Sequence, residues 1–357
     1  MRRLSDAERR SIINALERGE DLPLHYRDLL FPPASKREKW RFLTAAAVFS
    51  SPLSGEGALY CGSRDANLYA LDPEYGHEVW RFSTRGYVDA TPAAWGDVLC
   101  FGSHDGSLYG VDLATGKERW KFKTADRVAS RPAISQGVAY FAGTDKILYG
   151  VAMDSGKEVW RLEVEPSLIS SLVEHQGVIY FGAGDSRLHA VEIRTCVEKW
   201  TLKTGGDATS PVIGRETIYC GSRDGSLYAV DIRSGKEQWK FQTGDGWTSH
   251  PIVSTPAIFG DTILFGSNDH HLYAVDLKTA RERWKFRARS WVICTPAVAG
   301  DTVYFGAGDG VLYALDLHSG HEKWRFETRK WIASSPQVHA GTVYFGGGDG
   351  YIYALKA

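Results

Sequence analysis

Eight aspartates recur at one step along the chain: Asp65, Asp105, Asp145, Asp185, Asp224, Asp269, Asp309 and Asp349. A ring of carboxylates could do acid–base chemistry or hold cations. Each, however, separates two runs rich in β-branched and aromatic residues, and four are followed directly by glycine, as a hairpin turn requires. Repetition in every copy marks them as turn residues of the scaffold. His270-His271 beside Asn268 has the composition of a metal site. Neighbouring side chains on a strand point to opposite faces, so the pair chelates poorly, and His104 in the corresponding loop of another copy supplies no second cluster. Gly221-Ser222-Arg223-Asp224-Gly225 is a hairpin and no phosphate loop, since no helix follows it. The cysteines, Cys61, Cys100, Cys196, Cys220 and Cys294, are odd in number and not closely paired. Cys61 and Cys220 fall where other copies carry phenylalanine, which predicts small buried hydrophobes in a reducing compartment.

Residues that break the repetition are better candidates. They concentrate in the connection that leads from one copy to the next. Five positions before the proline opening each copy stand Ala47, Tyr87, Arg127, Trp291 and Trp331, with Ser167 before Leu172 and Gly206 in two other copies. The remaining connection is five residues longer and contains Trp247 and His250. Tryptophan and arginine together supply large contact area and directed hydrogen bonds, the composition of a recognition surface. The candidate binding residues are therefore Tyr87, Asp89, Arg127, Trp247, His250, Arg289, Trp291, Arg329, Lys330 and Trp331. Arg85, Asp89, Arg127 and Arg131 are expected across a ring from the three tryptophans. Two uses remain open, recognition of a ligand or plugging of a funnel mouth. His250 has no partner nearby in the sequence that would make it a general acid or base.

What must position these residues is an array. Trp40, Trp80, Trp120, Trp160, Trp200, Trp239, Trp284 and Trp324 recur at intervals of 40, 40, 40, 40, 39, 45 and 40 residues. That period builds one four-stranded sheet per copy. Thr295 to Phe326 shows the unit: an apolar run, a Gly300-Asp301 turn, a β-branched strand, the Asp309-Gly310 hairpin, a third strand, a Ser319-Gly320 turn and the tryptophan strand. A lone sheet of this kind exposes both faces, so copies must stack, and radial closure leaves only short edges. The last copy ends at Ala357 without its tryptophan strand, while Lys39-Trp40-Arg41-Phe42 precedes the first full copy. The expected fold is all-β: an eight-bladed β-propeller of four-stranded antiparallel blades over residues 38–357, closed by the N-terminal strand 38–43. Residues 1–37 form a separate short helical segment, a cap or docking element, in which Ser5 and Glu8 make a capping box and Pro32-Pro33 ends the segment.

Asp-x3-Gly-x3-Trp, as in Asp72, Gly76 and Trp80 or Asp316, Gly320 and Trp324, resembles the tryptophan-docking repeat of quinoprotein-type propellers over about 320 of the 357 residues. The resemblance implies that each tryptophan packs between blades and that the Asp and Gly shape the turn holding it. Ala152 and Glu192 replace the Asp, and Cys196 and Ala280 replace the glycine, so those turns are expected to be weaker or differently shaped. The family's enzymes carry pyrroloquinoline quinone and a metal ion in the funnel, with large insertions, a vicinal cysteine pair and a Glu-Asn-Asp metal set. This chain has lean blades and no adjacent cysteines. The short-blade relatives bind protein segments or ligands.

The expectation is a non-catalytic scaffold or sensor that recognises a protein segment or small anionic ligand at the Trp/Arg-rich face, without a cofactor. A quinone-dependent dehydrogenase is the alternative. With 42 Lys and Arg against 43 Asp and Glu, the chain is no general nucleic-acid binder. No secretory signal or membrane-length apolar segment is visible, which predicts a cytoplasmic protein without a membrane span.

Overall fold

A computed structural model describes residues 35–55, 57–164, 170–244 and 250–357. Its strands form eight four-stranded sheets. Within each, three-residue inner strands such as β26 (Ala297–Ala299) lead to β27 (Thr302–Gly306), β28 (Val311–Asp316) and the outer β29 (Glu322–Glu327) in an antiparallel meander. The sequence sets this gradation. Val-Leu-Tyr-Ala-Leu in β28 is buried throughout because neighbouring blades cover both its faces, whereas Glu-Lys-Trp-Arg-Phe-Glu in β29 alternates between more and less covered side chains. The core is accordingly a series of layers between blades. In one of them Trp284 and Phe286 of one blade pack with Val303, Phe305 and Tyr313 of the next.

The ring closes as the sequence predicts. The N-terminal strand β1 (Glu38–Leu43) pairs antiparallel with the last strand β32 (Tyr351–Lys356), with Trp40 opposite Ala354. Each repeat tryptophan then docks on the following blade. Trp40 lies over Gly76 of the first blade, so that a Cβ on that glycine would stand 2.3 Å from the indole, and its Nε1–H donates to Pro73 O at 3.1 Å. Trp120 repeats the arrangement over Gly156 with a bond to Met153 O at 2.8 Å, and Trp284 over Gly320 with one to Leu317 O at 2.9 Å. Trp324 faces the seam, where the chain ends instead of turning. There Arg37 takes the place of the turn, its guanidinium 4.5 Å from the indole centroid. Arg37 O also accepts from Lys356 N–H at 2.7 Å.

The divergent docking turns keep their backbone shape, so of the two expected consequences, a weaker or a differently shaped turn, the second does not occur. Cys196 N–H donates to Glu192 O, and Ala280 N–H to Asp276 O, both at 2.9 Å, as Gly320 N–H does to Asp316 O. The main-chain bond, not the residue type, defines the turn. Its requirement is a positive φ, 57° at Cys196 and 56° at Ala280, which a Cβ disfavours by about 1 kcal/mol. Ala280→Gly should therefore raise stability by roughly that amount, read as a higher urea midpoint with unchanged slope. The helical segment expected within residues 1–37 lies, up to residue 34, outside the described residues.

Candidate binding face and axial channel

The connections between blades and the second-to-third-strand hairpins share one face of the ring, because among the described residues seven connections are pinned to the next hairpin. Tyr87 O accepts from His104 N–H at 2.8 Å, Trp291 O from Gly308 N–H at 2.9 Å, and Trp331 O from Gly348 N–H at 2.8 Å. The recurrent aspartates do the pinning from the side-chain end. Asp309 accepts from Tyr313 Oη at 2.7 Å, from Val311 N–H at 3.0 Å and from Arg289 N–H at 3.0 Å. Asp349 does the same with Tyr353, Tyr351 and Arg329. Burial and the adjacent carboxylate both push these tyrosines above the ordinary phenol range. The carboxylates are thus committed to the scaffold. Asp185 is the variant, since His189 replaces the tyrosine there and lies between Asp185 at 3.2 Å and Glu198 at 2.7 Å.

Several other sequence candidates are structural. His270 occupies the positive-φ position of its hairpin, at 75°, and His271 bonds Asp269 O through Nδ1 at 3.0 Å. Among the described residues no three His, Cys, Asp or Glu side chains converge as metal ligands. Cys61, Cys100, Cys220 and Cys294 are buried, and burial pushes the Cys294 thiol up to about 12. Cys196 is exposed.

At the face itself, connection and hairpin exchange bulk. Trp291 lies over Gly308 and Trp331 over Gly348, where a Cβ would come within 2.3 and 2.5 Å of the respective indoles. Conversely the small Ala47 pairs with Arg64, whereas Tyr87 and His104 are both bulky and lie side by side. Both tryptophans are half-buried on hairpin backbone. The position assigned to Gly206 belongs instead to Asp207, whose carbonyl accepts from Arg223 N–H at 2.9 Å. That connection is one residue short, so counting back from its proline overshoots. In the long connection Pro251 holds the position, and its carbonyl accepts from Asn268 N–H at 3.0 Å. His250 immediately precedes it, half-buried, and Trp247 lies outside the described residues.

Ring closure narrows the expected separation at one end only: Arg127 and Arg131 stand four blades from Trp291, across the ring as expected, but Asp89 is linked towards Trp331. Trp331 and Tyr87 stand on the same stretch of the face, joined across the seam by two residues that sequence comparison missed. Phe49 packs against Trp331 with centroids 4.4 Å apart, and the Arg64 guanidinium lies 3.7 Å above Phe49 and 5.5 Å from Tyr87. Asp89 fixes that guanidinium with a double contact at 3.0 and 3.1 Å. Tyr87, 49% exposed, continues to His104 at 5.6 Å. His104 Nε2 is 3.4 Å from Asp89 without hydrogen-bond geometry. Its imidazole is held below the ordinary histidine range mainly by burial and also by Arg127 and Arg64, with Asp89 opposing. Arg85, Arg127, Arg289, Arg329 and Lys330 are exposed around this strip, and none of their side chains makes an ion pair among the described residues. One internal signal could have found the strip: Phe49 is the sole aromatic among the residues three before the opening prolines.

Behind the face runs the axial channel, a cavity of about 1480 Å³ lined by all eight blades. The residue before each opening proline, or before Leu172, lines it: Ser51, Thr91, Arg131, Ser171, Ser210, Thr255, Thr295 and Ser335. Seven are hydroxyl residues; the third blade alone supplies a cation.

The sequence matches the family model described as outer membrane protein assembly factor BamB in three overlapping stretches, residues 30–143, 104–252 and 223–357. The fold is similar to BamB from Moraxella catarrhalis, at 18% identity over 90% of this chain and 99% of that one, with a TM-score of 0.76. It is similar also to the computationally designed Ika8 protein, at 16% identity over 90% and 100% of the two chains and a TM-score of 0.80. Quinohemoprotein alcohol dehydrogenase from Comamonas testosteroni gives 14%, 89%, 76% and 0.75 in the same order. At these identities structural likeness speaks for the fold alone. No curated protein matches the sequence.

Proposed function

The chain belongs to the family of PQQ-like repeat propellers described as outer membrane protein assembly factor BamB, and from that premise we propose that it is a non-catalytic platform that binds an extended segment of a protein partner. The observation that carries this reading is the continuous strip from Trp331 through Phe49 and Arg64 to Tyr87. Its rings are pre-positioned by glycine backbone and by the Arg64–Asp89 pair, so little side-chain entropy is lost when a segment lies on them. Cations at its margins, without ion pairs among the described residues, favour acidic side chains in that segment and accelerate encounter.

Quinone chemistry fits these residues poorly. A quinone with its metal ion needs converging ligands, and among the described residues no three His, Cys, Asp or Glu side chains come together. Of the ionisable side chains lining the channel, Asp97 and Asp112 are both engaged by Arg119. The discriminating experiment places a photo-cross-linking amino acid at Tyr87 and, as a control on the opposite face, at Thr115 in the native host. A single protein cross-linked from position 87 and not from 115 supports the platform. Equal labelling from both positions, or a purified protein carrying a chromophore that reduces dye with an alcohol, overturns it.

A further inference from the structure

Arg131 is the one residue that breaks the hydroxyl collar of the channel, and its chemistry there is incomplete. Around the collar five of the eight main-chain N–H groups, those of Ser51, Arg131, Ser171, Thr295 and Ser335, stitch the blades tangentially by donating to the next blade's hydroxyl oxygen. Ser335 N–H donates to Ser51 Oγ at 3.0 Å, Thr295 N–H to Ser335 Oγ at 2.9 Å and Ser171 N–H to Ser210 Oγ at 2.9 Å. These oxygens are used as acceptors, yet none of the three hydroxyl hydrogens has an acceptor among the described residues. The collar therefore presents O–H donors to the channel.

Arg131 adds five N–H donors to the same collar. Its main-chain N–H takes part in the stitching, to Ser171 Oγ at 3.3 Å, but its guanidinium makes no hydrogen bond or ion pair among the described residues. The group is reachable by solvent in the cavity while the surrounding walls strip part of its hydration. That loss alone pulls it below the ordinary arginine range, with no carboxylate close enough to oppose it. The residue is exposed within the cavity, so its charge is open to a ligand that enters the channel. The two carboxylates that line the same cavity, Asp97 and Asp112, are held by Arg119 at 2.5 Å each and are not available to it.

We propose that the axial channel is a binding site for a small oxyanion, a carboxylate or phosphate, gripped by the Arg131 guanidinium and by the hydroxyls of the collar. The cavity of about 1480 Å³ is large enough for an organic acid of several carboxylates. A planar fork of donors matches a carboxylate or phosphate edge, and hydroxyls on the other blades surround what remains of the anion. This site is separate from the aromatic strip, and occupying it requires nothing of the strip.

The test is calorimetry and thermal melting of the whole chain with inorganic phosphate and with citrate, at low and moderate salt. Arg131→Ser converts the third blade to the residue type of its neighbours, where the new hydroxyl can accept a main-chain N–H as theirs do, so the fold should be kept. Expected are one site per chain, a ligand-dependent rise in melting temperature, and affinity at least tenfold weaker in Arg131→Ser. Arg131→Lys should lie between the two, since it keeps the charge and loses the fork. Phe49→Ala with Trp331→Ala should leave oxyanion binding unchanged. Should Arg131→Ser fail to fold, Arg131→Gln carries the same expectation. Binding of neither anion up to about 10 mM, or equal binding by wild type and the uncharged variants, overturns the proposal. Loss of binding in the Phe49/Trp331 variant moves the site to the face and overturns it as well.

Discussion

Trp40→Ala should cost about 3–5 kcal/mol of stability, the usual range for truncating a buried tryptophan. It should also open the ring at one place. The indole is only 9% exposed and belongs to the cluster of Phe42, Leu59, Tyr69, Leu71, Tyr344 and Ile352, which joins the last blade to the first. Besides packing, it supplies the Nε1–H bond to Pro73 O at 3.1 Å and covers Gly76. Trp284 is the right comparison, being 8% exposed with an equivalent bond to Leu317 O at 2.9 Å. Truncating either removes similar contacts. The difference is connectivity: blades joined at Trp284 remain tethered by the chain, whereas at the seam the two ends are held without a covalent link, by the β1–β32 ladder and by contacts such as Ser335 N–H to Ser51 Oγ and Phe49 on Trp331. Repeat arrays open where nearest-neighbour coupling is weakest. Hydrogen exchange should therefore show Arg41 and Tyr353 amides exchanging by local opening in Trp40→Ala, and by global unfolding only in Trp284→Ala. Seam amides that stay as slow as the global reaction in both variants would show that the contacts other than Trp40 suffice to secure the closure.

That seam was legible in the sequence because a repeat makes its own control: a tryptophan strand is missing at one end and surplus at the other. The docking geometry was legible for the same reason. The candidate site was only half legible. Trp291, Trp331, Tyr87, Asp89 and Arg127 stand out as departures from the repeat, but Trp331 and Tyr87 are far apart in the chain, and only closure makes them neighbours. Phe49 and Arg64, which bridge them, occupy different positions of the unit. Comparison position by position cannot show that two different positions touch. The exchange of bulk between Ala47 and Arg64, or Trp331 and Gly348, is a pairwise relation of the same kind. Asp207 was missed for a simpler reason, because loop lengths vary and the proline is not a fixed ruler. Arg131 was visible as a residue; that its guanidinium has no partner among the described residues is a property of the channel and needs three dimensions.

The double variant Phe49→Ala, Trp331→Ala should abolish partner binding while leaving the melting curve nearly unchanged. Both rings are half-buried on the face and lie outside the interblade layers, so their loss removes no layer of the core. Their contribution to binding is larger. Aromatic anchors at the centre of an interface cost about 2 kcal/mol or more each when truncated, and even with incomplete additivity the pair should weaken binding by a factor of about 100 or more. Removing Phe49 also releases Arg64 from the ring 3.7 Å beneath it, though Asp89 still holds its far end. A second route reaches the same surface without deleting any side chain of the strip. In Gly348→Ala the new Cβ would stand 2.5 Å from the Trp331 indole, so the ring must leave its seat and with it the contact to Phe49. The partner identified by cross-linking should bind wild type and the opposite-face variant Arg119→Ala alike, Gly348→Ala more weakly, and the double variant least. Equal affinity across the four proteins would remove the strip from the interface and leave the exposed cations at its margin to account for binding. In that case affinity should fall steeply with salt, whereas an interface anchored by the rings should keep most of its affinity at high ionic strength.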